Sequence, residues 1–210
     1  MTAAVSAALA DLRRRDPVID RLVEAHGPPR VPGRRPAGER FGALVRSITY
    51  QQLAGAAAST IHRRLVEALG DEVTPARVLA TPPDVLRAAG LSANKLASIL
   101  DLATKVDNGQ VALSRIGRLS DDDVVDHLVS VRGIGRWTAE MFLISNLGRL
   151  DVWPVDDLGV RVGFGRAWGL DEAPAPKALA ALGDRYRPYR TLVAWYCWRA
   201  ADQRLPPVTG

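Results

Sequence analysis

Val131-Arg132-Gly133-Ile134-Gly135-Arg136-Trp137-Thr138-Ala139 is the stretch on which the fold turns. Upstream of it, Ser120-Asp121-Asp122-Asp123-Val124-Val125-Asp126-His127-Leu128-Val129 forms an amphipathic helix opened by a serine cap, with Asp123 in place of the Glu or Gln usual in a capping box. Downstream, Arg136 to Leu147 forms a second helix. Residues from about 120 to 147 are therefore two helices joined by a glycine hairpin. After a strand, Gly-x-Gly would suggest a dinucleotide site, but here a helix precedes it and that reading fails. Glycines allow positive φ and close approach of the backbone to a phosphate, while the N–H groups opening the second helix face an anion with a favourable dipole. Arg132 and Arg136 add charge, and the whole suits a phosphate contact that ignores base sequence.

Further out, helix signals recur along the chain, and alternating β-branched runs between hairpin turns are absent, so the chain reads as all-α, about ten short helices in two lobes. Asp16-Pro17, Thr74-Pro75 and Thr81-Pro82 each place a capping side chain before a proline at the first helical position. Ser92 opens a helix over Ala93 to Val106 with Leu96, Ile99, Leu100 and Ala103 on one face. Gly70 and Gly90 stand where helices should stop. Gly27 to Gly38, with Pro28, Pro29, Pro32, Pro36, Arg30, Arg34 and Arg35, reads as an exposed basic loop rather than an interdomain linker. The Pro-rich tail Leu205 to Gly210 is expected to be disordered. The expected organisation is one unit over residues 1–210 made of two interleaved helical lobes.

The 210 residues are 47% hydrophobic, enough for a real core. Only Lys95, Lys105 and Lys177 among the 28 basic residues are lysines, and the net charge is +5. Guanidinium forks match phosphate oxygens, which favours a polyanion partner, although arginine enrichment from genomic base composition explains the count equally well. Cys197 is the only cysteine, which excludes an internal disulfide, a four-cysteine iron–sulfur cluster and a Cys-based zinc site. His26, His62 and His127 have no ligand spacing and are expected at the surface or in helix packing. No basic residue precedes the short apolar run near the N-terminus, Arg13-Arg14-Arg15 follow it, and no run is long enough to span a membrane. The expectation is a cytoplasmic, intracellular, nucleoid-associated protein with no membrane partner.

The hairpin, followed by Asp151-Val152-Trp153-Pro154-Val155-Asp156-Asp157, resembles the helix-hairpin-helix DNA glycosylases, and within them the AlkA-like 3-methyladenine DNA glycosylases II. The resemblance spans about Phe41 to Ala200 and includes Ser47-Ile48-Thr49-Tyr50-Gln51-Gln52-Leu53, Ala89-Gly90-Leu91-Ser92 with Lys95, and Arg187-Pro188-Tyr189-Arg190. It implies a two-lobed helical fold with the active-site cleft between the lobes, in the compact subgroup without the N-terminal β-rich domain of the longest members.

By the same resemblance Asp157 is the catalytic aspartate, Asp156 caps or orients, and Leu53 after Gln52 is the wedge that fills the gap left by a flipped base. Trp137 and Trp198 hold a cationic base by stacking and cation–π attraction, with Tyr50, Trp153 and Tyr189 as further candidates for the pocket. Met141 stands where some relatives carry an aromatic. Arg132, Gly133, Gly135, Arg136 and Thr138 contact DNA, and the carbonyls of Val129, Val131 and Ile134 are where a structural Na or K ion would bind. Relatives that also cut the strand carry a Schiff-base lysine where this chain has Trp137, so hydrolysis without lyase activity is expected.

The implied reaction removes N3- or N7-alkylated purines such as 3-methyladenine and 7-methylguanine from double-stranded DNA, the first step of base excision repair. It needs a carboxylate to stabilise charge developing on the deoxyribose and no catalytic cofactor. A monomer is the simplest expectation. The alternative is a non-catalytic helix-hairpin-helix module that only grips duplex DNA, and Asp157 with Trp137 and Trp198 is what such a module would not need. Cys197 is expected to be buried and inert.

Overall fold

The structure, a computed structural model, describes residues 2–202, so the expected disorder of Leu205 to Gly210 lies outside the described residues. The described residues hold twelve α-helices and three short 3-10 turns, with no strand among them, as the absence of β signals predicts. The chain divides into two compact units, one of Met1–Gly33 with Gly148–Gly210 and the other of Arg34–Leu147 inserted into it. The polypeptide therefore passes from one unit to the other inside Gly27 to Gly38. That corrects the sequence reading: this exposed, proline-stiffened stretch does join two compact units, and basic composition does not distinguish a loop from a connector.

The first unit contains α1 (Ala3–Arg15), α2 (Pro17–His26), α10 (Leu158–Trp168), α11 (Pro176–Gly183) and α12 (Arg190–Asp202). Its core gathers Leu12, Ile19, Leu22, Trp153, Val160, Phe164, Tyr186 and Tyr196, among others. Asp16 caps α2 as its proline neighbour predicts, its carboxylate accepting the N–H of Val18 at 2.9 Å. The same buried carboxylate also accepts from the Trp168 indole, the Tyr186 hydroxyl and Arg185, so one residue starts a helix and ties three distant side chains to it. Burial would raise its pKa. The hydrogen bonds from Tyr186, Trp168 and Val18 and the charge of Arg185 outweigh that and hold it below the ordinary 3.8.

The inserted unit contains α3 (Arg40–Tyr50), α4 (Gly55–Ala68), α5 (Pro75–Ala80), α6 (Pro83–Ala88), α7 (Ala93–Asp107), α8 (Asp121–Val129) and α9 (Arg136–Leu147). Thr74 caps α5 with Pro75 at its first position, and Ser92 and Ser120 cap α7 and α8. Ser120 also donates its hydroxyl to the Asp123 carboxylate at 2.6 Å, so the shorter acid closes the box on the serine side chain. Thr81-Pro82 departs from expectation. Thr81 ends α5, its hydroxyl donating to the Arg77 carbonyl, and α6 starts one residue later with Pro83. Two consecutive prolines offered two registers, and the helix takes the second.

On α7, Leu96, Ile99 and Ala103 are buried as predicted, but Leu102 takes the place expected for Leu100. The helix packs against α3, α5 and α6, so its apolar surface is wider than one stripe. No helix among the described residues is long and apolar enough to cross a membrane.

Candidate functional site

In the inserted unit, α8 and α9 flank the hairpin with the boundaries the sequence predicts. Gly133 has φ +74, and a Cβ there would fall 2.4 Å from the Ser98 hydroxyl on α7, so both conformation and space demand glycine. The turn is tied down from several sides. The Arg132 N–H donates to the Asp101 carboxylate at 2.8 Å, and Lys105 bridges that carboxylate to the Ser130 carbonyl. Burial works against the Asp101 charge, but hydrogen bonds from Lys105 and the Arg132 N–H keep its pKa below the ordinary value. Gln51 at the end of α3 donates its side-chain N–H to the Gly133 carbonyl at 3.0 Å. Within α9 the Ala139 N–H reaches back to the Gly135 carbonyl, so the helix starts directly at the hairpin.

Arg132 and Arg136 are exposed, reaching Asn94 at 3.4 Å and Glu140 at 3.0 Å. Thr138 is buried. Val129 ends α8, where carbonyls outrun the helical ladder, and the Val131 carbonyl accepts the Ile134 N–H at 3.1 Å with a second lone pair to spare.

Beside the hairpin the same unit forms an open cavity of about 1060 Å³ whose walls include Arg46, Tyr50, Gln52, His62, Trp137 and Met141. Three residues singled out from sequence, Tyr50, Gln52 and Trp137, thus come together. Trp137 is 48% exposed and Leu53 38%, high values for such apolar side chains, and Leu53 is therefore not the ordinary core leucine a bland reading makes it. Gln52 has φ +55, which turns the chain sharply between α3 and Leu53.

In the other unit, Asp157 is the N-cap of α10. One carboxylate oxygen accepts the Val160 N–H at 2.8 Å and the Trp198 indole N–H at 2.9 Å. Gly159 makes room for this pair, since a Cβ there would lie 3.0 Å from Trp198 and 3.1 Å from Asp157. The sequence reading gave the capping role to Asp156; the structure corrects it to Asp157 and leaves Asp156 exposed, because the helix begins one residue later. Trp153 is buried, its indole donating to the Leu179 carbonyl, and so belongs to the core rather than to a pocket. Tyr189 also packs on that core. Arg190 grips Asp151 with two side-chain nitrogens, at 2.7 and 3.0 Å. Cys197 is fully buried as expected, and burial, with Asp157 nearby, pushes its thiol pKa up.

A family model for the HhH-GPD superfamily base excision DNA repair proteins matches residues 45–188. The chain belongs to this family. DNA-3-methyladenine glycosylase 1 of Schizosaccharomyces pombe is 33% identical over 166 residues, covering 78% of this chain and 73% of the yeast protein. Among solved structures, the 3-methyladenine DNA glycosylase Mag1 of Schizosaccharomyces pombe in complex with abasic DNA superposes with a TM-score of 0.80 at 30% identity, over 94% of this chain and 98% of that one. A DNA-3-methyladenine glycosidase from Bacillus halodurans gives 0.83 at 31%, over 95% and 89%. The glycosylase family read from the hairpin is thereby borne out, together with its all-helical fold.

Sequence reasoning missed Asp101 and Lys105, which have no motif around them, and the roles of Gln51 and Lys95. Gln51 lay inside the quoted Gln-Gln-Leu. Lys95 donates to the Thr49 carbonyl at 2.6 Å, closing the end of α3.

Proposed function

We propose that this protein is a monofunctional DNA glycosylase that draws alkylated purines of the 3-methyladenine and 7-methylguanine type out of duplex DNA and hydrolyses their N-glycosidic bond. The observation that carries this reading is the Asp157 carboxylate, held by a helix N-terminus and the indole N–H of Trp198. A group that only gripped DNA would gain nothing from a carboxylate so placed, which repels phosphate.

The substrate base is already cationic, so departure of the neutral base leaves positive charge on the deoxyribose. Asp157 stabilises that charge, orients the water that attacks C1′ and takes up its proton, the C1′–N bond breaking and the C1′–O bond forming. Trp137 and Trp198 supply electron-rich faces for the base, each worth about 0.5–2 kcal/mol of cation–π attraction. Leu53 fills the duplex, while Arg132, Gly133, Gly135, Arg136 and the Thr138 N–H hold the backbone. No lyase step follows. Trp137 cannot form a Schiff base, and Lys95 and Lys105 spend their ammonium groups on Thr49, Asp101 and Ser130.

This hydrolysis calls for no metal or organic cofactor, and a single cysteine cannot ligate a four-cysteine cluster. The carbonyls of Val129, Val131 and Ile134 would hold a monovalent cation bracing the hairpin, a structural role only. The protein acts as a monomer on the DNA of the nucleoid.

The test is release of free base from methylated duplex DNA, with strand breaks scored before and after alkali. Release of 3-methyladenine with breaks only after alkali is expected. Breaks without alkali would overturn the monofunctional assignment, and duplex binding without release from any damaged base would return the protein to the binding-module reading.

A further inference from the structure

Arg46 stands on α3 one turn before Tyr50 and lines the same cavity as Tyr50 and Trp137. Its guanidinium carbon lies 4.0 Å from the centre of the Tyr50 ring. Among the described residues no carboxylate forms an ion pair with Arg46, so its charge is not spent on another side chain. The flank of the Tyr50 ring is covered edge-on by His62, with ring centres 6.1 Å apart. Burial first, and Arg46 second, lower the pKa of that imidazole, so His62 stands beside the ring as a neutral group and the cation on the tyrosine face is the guanidinium.

A positively charged purine seeks such a face through the same attraction. Arg46 already occupies it. A base entering beside Tyr50 must therefore displace the guanidinium or lie next to it, and like charges at such close range repel. The guanidinium also presents a planar fork of N–H donors, which pairs with the O6 and N7 acceptors of a deaminated purine such as hypoxanthine. An N7-alkylated purine has lost the N7 lone pair and gained a charge, so it forfeits that pairing twice over.

Resting on the glycosylase reading above, we propose that Arg46 is a specificity-determining residue that, seated on Tyr50, favours neutral damaged purines bearing O6 and N7 acceptors over cationic N7-alkylated ones.

The experiment compares the native protein with Arg46→Gln and Arg46→Lys. Base release is measured from duplexes carrying hypoxanthine or N7-methylguanine, and equilibrium binding is measured with the hydrolysis-resistant 2′-fluoro N7-methylguanine duplex against the hypoxanthine one. Arg46→Gln is expected to slow hypoxanthine release about ten-fold and to tighten binding of the N7-methylguanine duplex about three-fold or more. Arg46→Lys, which keeps the cation, should leave the N7-methylguanine affinity at the native level. In a Tyr50→Leu background the gain in affinity on Arg46→Gln should shrink, since the ring it uncovers is gone.

A uniform fall for both lesions and for undamaged duplex would mean that Arg46 is a phosphate contact and would overturn the inference, as would an unchanged ratio. If the native protein releases neither of these bases nor 3-methyladenine, the glycosylase reading fails by itself. The binding ratio still decides the role of Arg46.

Discussion

Asp157 carries two jobs at once, and they can be separated. As N-cap it satisfies the Val160 N–H and holds the Trp198 indole; as carboxylate it is proposed to meet the sugar. Asp157→Asn keeps an oxygen for the cap, so thermal stability should fall by about 1 kcal/mol or less while base release falls by orders of magnitude and duplex binding persists. Asp156→Asn, at an exposed position outside the helix, should release base at the native rate, and loss of release there instead would reverse the assignment within the pair. Asp16 is the corresponding residue for stability. Its folded pKa lies below the ordinary 3.8, so its contribution is complete above that value and is lost as pH falls through the lower folded value. Urea midpoints taken from about pH 6 down to about pH 2 should drop in the native protein, with a shallower drop in Asp16→Asn, which starts about 2 kcal/mol less stable.

At the scale of elements, two glycines set how closely helices approach. Gly163 on α10 lies where a Cβ would fall 1.8 Å from the Cys197 carbonyl oxygen of α12, a backbone atom that cannot swing aside. Gly163→Ala must push these helices apart, and because Asp157 begins α10 and Trp198 sits on α12, their 2.9 Å hydrogen bond goes with it. A loss of about 3 kcal/mol in urea unfolding is expected, with Trp198 fluorescence shifted at native pH; full stability in the alanine variant would refute this account of the packing. Gly133 does the same for the hairpin against Ser98. Caps and prolines made most helix starts legible in the sequence, since each is a local hydrogen-bond or steric preference. Where two registers were locally equal, at Thr81-Pro82-Pro83 and at Asp156-Asp157, the sequence reading took the first and the packed helix takes the second.

For the whole molecule, the net charge of +5 and its arginine bias bear on DNA binding rather than on fold. If Arg132 and Arg136 each neutralise a phosphate, the plot of log affinity against log salt should flatten by about 0.9 for either residue replaced by glutamine. The change should be equal for damaged and undamaged duplexes, measured by fluorescence anisotropy across a salt series. A change confined to damaged duplex would place these arginines at the base instead of the backbone.

The hairpin, the helical class and the family followed from the sequence because each rests on local chemistry: a glycine pair between two periodic segments, caps, and an ordered set of short motifs. Burial, and the partners a side chain meets across distant chain segments, did not. That Trp153 is core while Trp137 is exposed, that Asp157 takes the cap, and that Gly27 to Gly38 connects two units depend on contacts between segments far apart in sequence, or on where a helix chooses to begin. Two tryptophans in similar apolar surroundings read alike along a chain. Only the packing of the helices around each one decides which indole is spent on the interior and which is left to meet a ligand.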